Sequence, residues 1–263
     1  MTGATETLTH PAYGRLRPVT DTASVVLANN PGLMTLEGTN TWVLRGPGSD
    51  DVVVVDPGPD DDEHIAAVAG AGRVALVLIS HRHADHTDAI DKLVELTGAP
   101  VRSAGSGFLR GLSGELIDGE VIDAAGLRIT VWSTPGHTAD SLSFVLDDAV
   151  LTADTVLGRG TTVIDNEDGS LADYLASLQR LRALGGRTVL PGHGPELANI
   201  EVVVQEYLAH REQRLDQIRS ALQTLGDDAT TRQVVEHVYV DVDKELWGVA
   251  EWSVQAQLDY LRR

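Results

Sequence analysis

The apolar positions of this chain fall first into short runs and later into long helical stripes, and the change of texture divides it. Residues 23–28, 41–45 and 52–55 are short and rich in valine and leucine, and they predict strands. Four consecutive valines at 52–55 leave no polar alternation, so this strand is expected to be buried on both faces before it stops at Asp56-Pro57-Gly58. Residues 61–69 predict a helix closed by Gly70 and Gly72. Residues 74–79 predict another buried strand, and 87–96 a helix with Gly98 just past its end. Three further strands are predicted at 127–132, 142–146 and 149–151. Over 170–184, Leu171, Tyr174, Leu175, Leu178 and Leu181 recur with the spacing of one helix face. A last strand, 187–190, runs into Pro191-Gly192-His193-Gly194.

Beyond Pro195 the pattern is helical only: one long helix at 200–225 ended by Gly226, then 230–238 and 244–261. The pattern predicts an α/β body, residues 1–198, and a helical C-terminal part, residues 199–263.

Composition refines this. With 263 residues and 42% hydrophobic side chains, a full core can form, and aromatics at 4% leave it to Val, Leu, Ile and Ala. There is no cysteine, so disulfides, thiolate metal sites and cysteine nucleophiles are excluded, and a bound metal must sit on nitrogen and oxygen. The net charge of −19 disfavours polyanionic partners. Residues 1–18 lack the basic start and apolar run of a secretory signal, and no apolar stretch approaches the roughly 20 residues that cross a bilayer. A cytoplasmic protein without a membrane partner is expected.

The densest chemistry is His81-Arg82-His83-Ala84-Asp85-His86, straight after a predicted strand. His81 and His83, two apart, can point the same way in extended chain, while Asp85 and His86 follow where the chain turns into a helix and can face a second point. Such a cluster without a counter-ion would cost stability, and its donors suit zinc, with iron and manganese also compatible. His137 and His193 each sit on a Pro-Gly-His turn after a strand, where glycine lets backbone approach a site. Asp154 stands at a strand end and suits a bridge between two cations. Asp56 is a similar strand-end acid, expected to support rather than ligate. His10, His64 and His237 lack such surroundings and read as surface or core histidines.

His81, His83, Asp85, His86, His137, Asp154 and His193 together resemble the ligand series of the metallo-β-lactamase superfamily. The resemblance covers roughly residues 20–200. It implies an αββα sandwich with two zinc ions per chain at one edge, or iron or manganese in the same set. His81, His83 and His137 would hold one metal, Asp85, His86 and His193 the other, and Asp154 would bridge them. A water or hydroxide between the metals would attack the substrate, with Asp85 and His86 as the catalytic pair. Asn30-Pro31-Gly32, Leu36-Glu37-Gly38-Thr39-Asn40-Thr41, Leu157-Gly158-Arg159-Gly160-Thr161-Thr162 and His210-Arg211 resemble the β-lactamase-like protein 2 group. That group ends in a small winged-helix-like domain. The full ligand set is also similar to that of glyoxalase II-like thioesterases.

Substrate divides the readings. The acidic balance favours a small ester, thioester or lactam-like substrate, with Asn40, Arg159, His210 and Arg211 as candidate contacts. The alternative implied by the group is single-stranded RNA cleavage, which needs Arg82, Arg102, Arg110, Arg159, Arg211 and Arg214 to converge on a basic groove. A third class, an iron-dependent sulfur dioxygenase, uses a similar histidine-rich site with one iron. Trp247, Trp252, Val254 and Leu258 are expected to be core or homodimer contacts.

Overall fold

The computed structural model describes residues 8–240, 243–244 and 247–262. Alternation inside the valine run sets the layering: Val53 and Val55 turn to one core, Val52 and Val54 to another, and all four are buried. They belong to a six-stranded sheet built from β1 (Arg17–Pro18), β2 (Ala23–Leu27), β3 (Asn40–Leu44), β4 (Asp51–Val55), β5 (Arg73–Leu78) and β6 (Val101–Arg102), paired in chain order. The first four strands are antiparallel neighbours, and β4, β5 and β6 run parallel. The second sheet contains β7 (Val121–Ala124), β8 (Leu127–Ser133), β9 (Leu142–Val145), β10 (Ala149–Ala153) and β11 (Thr188–Pro191). Its order is β11-β10-β9-β8-β7, and β10–β11 is its parallel pair.

Three apolar layers hold these sheets. Trp42, Val53, Val55 and Leu78 of the first sheet meet Ile129, Val131, Phe144 and Leu151 of the second. The outer face of the first sheet is covered by α1 (Asp62–Ala69) and α3 (Ile90–Thr97), through Ile65, Val68, Ile90 and Leu93. The outer face of the second is covered by α4 (Leu171–Arg182) and the start of α5 (Ile200–Leu225), through Tyr174, Leu178, Leu181 and Val204. The expected αββα sandwich is thus observed. Each fully buried aliphatic side chain contributes about 1.5–3 kcal/mol of transfer free energy, so the doubly covered strands anchor the fold.

The C-terminal part adds a fourth core. Ile218 and Ala221 near the end of α5 pack with Val234 and Val235 of α6 (Thr231–Val238) and with Trp247, Val254 and Leu258 of α7 (Trp247–Leu261). The long helix therefore serves two cores along its length. Among the described residues no helix is long and apolar enough to cross a membrane.

Local departures from expectation have physical causes. The helix expected at 87–96 is two pieces, α2 (Ala84–Thr87) and α3, because the Ala89 N–H bonds to the Gly58 carbonyl instead of continuing the α2 ladder. The two-residue strands β1 and β6, and the edge strand β7, were not expected; pairing with neighbours defines them more than their own apolar pattern does. The helix expected from 244 is described from Trp247, and residues 245–246 lie outside the described residues.

Candidate metal centre

Strand direction gathers the chemistry. Asp56 follows the C-terminal end of β4, the His81–His86 stretch follows β5, His137 follows β8, Asp154 follows β10 and His193 follows β11. β8 and β10 both run antiparallel to β9, and β11 runs parallel to β10, so these ends share one edge of their sheet. The sheets are tied there by the Asn40 N–H to Gly192 carbonyl bond at 2.8 Å and the Leu142 N–H to Ser80 carbonyl bond at 2.8 Å.

All seven expected ligand residues converge. His83 Nδ1 lies 3.1 Å from both His81 Nε2 and His137 Nε2, and Asp154 Oδ2 lies 3.7 Å from His137 Nε2. On the other side His86 Nε2 is 3.4 Å from His193 Nε2 and 3.3 Å from Asp85 Oδ2. Asp154 reaches both groups, with Oδ2 3.2 Å from His193 Nε2 and Oδ1 3.5 Å from His86 Nε2. His81, His83, His137 and Asp154 form one set whose donor atoms all lie within 4.8 Å of one another, and Asp85, His86 and His193 form another. Either set could hold a cation.

The opposite nitrogen of each ring is already engaged. His86 Nδ1 lies 3.0 Å from Asp56 Oδ2, His137 Nδ1 2.6 Å from the Val163 carbonyl, and His193 Nδ1 3.1 Å from the Gly38 carbonyl. His83 Nε2 lies 2.8 Å from Asp165 Oδ2, and His81 Nδ1 lies 2.9 Å from Ser80 Oγ, which itself donates to Asp56. Outer partners of this kind place the ring proton away from the centre and leave five lone pairs directed inward. Among the described residues the buried Asp154 Oδ1 has no hydrogen-bond partner. A space ringed by lone pairs and an orphaned carboxylate oxygen fits a bound divalent cation.

The electrostatics agree. Burial pushes His86 towards the neutral form, but Asp154, Asp85 and Asp56 outweigh it and lift its pKa to about 10. Burial likewise opposes charge on His193, and Asp154 raises it nonetheless. Burial holds His81 and His137 below the ordinary imidazole value. Burial alone would raise Asp154, yet His193 and His86 hold it well below the usual carboxylate range. The carboxylates thus favour positive charge at the centre.

Backbone shape serves the same place. Asp56 and Ala153 adopt φ of 54° and 44°, a left-handed region costing non-glycine residues about 1–3 kcal/mol. Both lie where a strand delivers an acid, and the strain aims Asp56 and Asp154. A Cβ on Gly192 would overlap Asp154 Oδ1 and sit 3.0 Å from His86 Cε1, which explains glycine before His193.

The other candidates separate. Arg159 lines a cavity of about 270 Å³ beside His137 and Asp154 and pairs with Glu37. Asn40 is buried, with Nδ2 donating to the Pro191 carbonyl at 3.0 Å and the Gly194 carbonyl at 2.8 Å, so it braces the His193 turn. Arg211 is buried under a second cavity and donates to the Thr162 carbonyl, and His210 lines the same cavity. Trp252 is 42% exposed and lines a cavity with His83 and His137, whereas Trp247, Val254 and Leu258 are core. Sequence reasoning missed Asp165 and Thr39, whose hydroxyl donates to Asp85 Oδ2 at 2.7 Å. Leu36-Glu37-Gly38-Thr39-Asn40-Thr41 had marked the neighbourhood of Thr39, but nothing local marked Asp165.

A family model described as the metallo-beta-lactamase superfamily matches residues 34–193, and one described as the beta-lactamase associated winged helix domain matches residues 230–263. The chain belongs to the metallo-beta-lactamase superfamily, and it is a hydrolase of that fold with a His/Asp cluster able to bind metal ions. It is 31% identical to a beta-lactamase-like protein 2 homolog of Caenorhabditis elegans, over 88% of this chain and 82% of that one. It is 34% identical to an atrochrysone carboxyl ACP thioesterase of Aspergillus fumigatus, over 81% of this chain and 72% of that one. Among solved structures, a beta-lactamase domain protein from Burkholderia ambifaria aligns with a TM-score of 0.80 at 19% identity, over 97% of this chain and 89% of that one, and so shares its fold.

Proposed function

We propose that the chain is a dinuclear metal-dependent hydrolase of small thioesters and similarly activated esters or lactam-like compounds. The observation that carries this reading is the pair of donor sets meeting at Asp154 beside an apolar cleft. Leu33, Met34, Leu36, Leu157 and Val163 line that cleft with His137 and Asp154, a surface suited to an acyl group. Similarity to an ACP thioesterase over most of the chain supports a thioester.

His81, His83 and His137 would hold one cation, Asp85, His86 and His193 the second, and Asp154 would bridge them. Zinc is the first expectation, and iron or manganese suits the same donors. Such ions, when bound, polarise the scissile carbonyl and lower the pKa of a coordinated water to about 7. The chain's own residues do the rest. Thr39 holds Asp85 through one carboxylate oxygen, leaving the other to orient the attacking water and accept its proton. Asp56 keeps the His86 ring proton on Nδ1, so Nε2 faces the centre as a lone pair. The apolar walls exclude bulk water from the acyl chain.

Charge placement favours a small substrate over RNA. Arg82 pairs with Asp165 and Asp168, Arg102 with Glu120, Arg110 with Asp91, and Arg159 with Glu37. Four of the six arginines that a basic groove requires are therefore neutralised by carboxylates. The deciding experiment incubates zinc-loaded protein with the butyryl thioester of N-acetylcysteamine and, separately, with end-labelled single-stranded RNA. Thioester turnover that drops by about 10²–10⁴-fold in Asp85→Ala is expected. RNA cleavage that disappears in the same variant, without thioester turnover, would replace the reading. One iron per chain with oxygen consumption would replace it with the dioxygenase.

A further inference from the structure

A second cavity, of about 350 Å³, lies between the α/β body and the C-terminal helices, lined by Thr161, Thr162 and Val163 on one side and by His210, Arg211, Arg214 and Gln257 on the other. Those three body residues also line the apolar cleft that touches His137 and Asp154, so the two spaces adjoin. Thr162 links them through two hydrogen bonds: its carbonyl accepts from Arg211, and its hydroxyl donates to the Asp154 carbonyl at 2.7 Å.

The polar groups of this cavity are incompletely satisfied. Arg211 is 4% exposed and Gln257 3%, yet among the described residues Arg211 Nε and Gln257 Oε1 have no hydrogen-bond partner; nor has the buried His210 Nδ1. Buried donors and acceptors are rarely left unmade, because each costs about 1–3 kcal/mol. The charge balance is equally uneven. Arg211 and Arg214 both line the cavity, and among the described residues no carboxylate lines it or pairs with either arginine. In a chain of net charge −19, whose other substrate-edge arginines are tied to acids, two adjacent cations left without one mark a local preference for an anion. The positive surroundings also lower His210, where burial acts first and Arg214 and Arg211 add to it.

We infer that this cavity is a recognition subsite for an oxyanion, phosphate or carboxylate, carried on the non-reacting arm of the substrate whose acyl group lies at the metal centre. The inference rests on the acyl-hydrolase reading for which bond is broken, but the subsite stands on its own residues. Among the described residues Arg214 Nε and Nη1 meet His210 and Gln217 and the guanidinium lies 5.3 Å from the Tyr239 ring centroid, with no carboxylate to hold it from an anion, while Arg211 Nε supplies a fixed donor and Gln257 Oε1 takes a hydroxyl or amide N–H from the arm.

Three butyryl thioesters test this: of pantetheine, of 4′-phosphopantetheine, and of pantetheine carrying a 4′-hemisuccinate. They share the reacting bond and differ in the terminal charge. The zinc-loaded protein is expected to favour a charged arm by about tenfold in kcat/KM, mainly through KM, with that preference collapsing towards parity in Arg214→Gln. Which charged arm gains names the anion. Equal constants for all three, or a preference that survives Arg214→Gln, would overturn the subsite. Calorimetric titration of 4′-phosphopantetheine and pantetheine into wild type and Arg214→Gln separates the two claims. Charge-dependent binding lost in the variant, with no thioester turned over, would keep the subsite and remove the hydrolase reading.

Discussion

Asp56 shows how far a residue outside the donor set can govern it. It sits at a φ of 54°, accepts from the Ser80 N–H at 2.7 Å and the Ser80 hydroxyl at 2.6 Å, and holds His86 Nδ1 at 3.0 Å. Asparagine there can still accept from Ser80 but can also donate to Nδ1, which moves the His86 ring proton onto Nε2, the atom facing the centre. Asp56→Asn is expected to weaken zinc binding by about 10–100-fold with the fold intact, read by competitive zinc titration and circular dichroism. Unchanged affinity would show that Asp56 only braces backbone. His64 makes a different statement at the same scale. Burial holds its pKa down to about 4, against 6.5 for a free imidazole, with Nε2 2.8 Å from Thr41 Oγ1. The unfolded chain binds a proton near pH 6.5 that the folded chain refuses until about pH 4, so stability present above that window is lost as pH falls through it. Between pH 7 and 5 this amounts to about 2 kcal/mol. Urea unfolding should show that loss reduced in His64→Gln, and identical losses in the two proteins would remove His64 as its source.

At the scale of elements, what could be read in advance depended on whether the signal was local. The doubly buried strands announced themselves because β4 and β5 are nearly pure aliphatic runs. The seven converging side chains were legible because His81–His86 is dense and because His137 and His193 repeat one turn. Asp165 was not legible: it meets His83 across 82 positions, and nothing near it differs from an ordinary acidic loop. The α2–α3 break was equally hidden, since its cause is the Gly58 carbonyl on another segment. The bond from Asn40 to the His193 turn was hidden likewise, because its partner lies 154 positions away. The long helix α5 offers the element-scale test. Asn199 caps it, with Oδ1 accepting from the Glu201 N–H at 3.0 Å and the Val202 N–H at 3.3 Å. Asn199→Ala is expected to cost about 1 kcal/mol in chemical unfolding without altering kcat, because the cap lies away from both cavities. A loss of turnover larger than the loss of stability would mean that the start of α5 shapes the site.

The whole molecule is organised so that its stability and its chemistry meet at one edge. One sheet supplies Asp56, His81, His83, Asp85 and His86, the other supplies His137, Asp154 and His193, and neither set is complete without its partner. A cation held there bridges two sheets that otherwise meet through an apolar layer and a few hydrogen bonds. Because the donors come from strands far apart in sequence, the unfolded chain has no such site, and binding adds RT ln(1 + [L]/Kd) to the folding free energy. At free zinc 100 to 1,000 times Kd, this is about 3–4 kcal/mol. Stripping metal with a chelator should therefore lower the unfolding midpoint, and returning zinc should restore it. Asp154→Ala removes the carboxylate that reaches both donor sets, so its unfolding should respond far less to zinc. If chelation leaves the wild-type midpoint where it was, or if Asp154→Ala keeps the full zinc response, the cation does not join the sheets through Asp154. The buried Asp154 oxygen without a hydrogen bond among the described residues would then need another explanation.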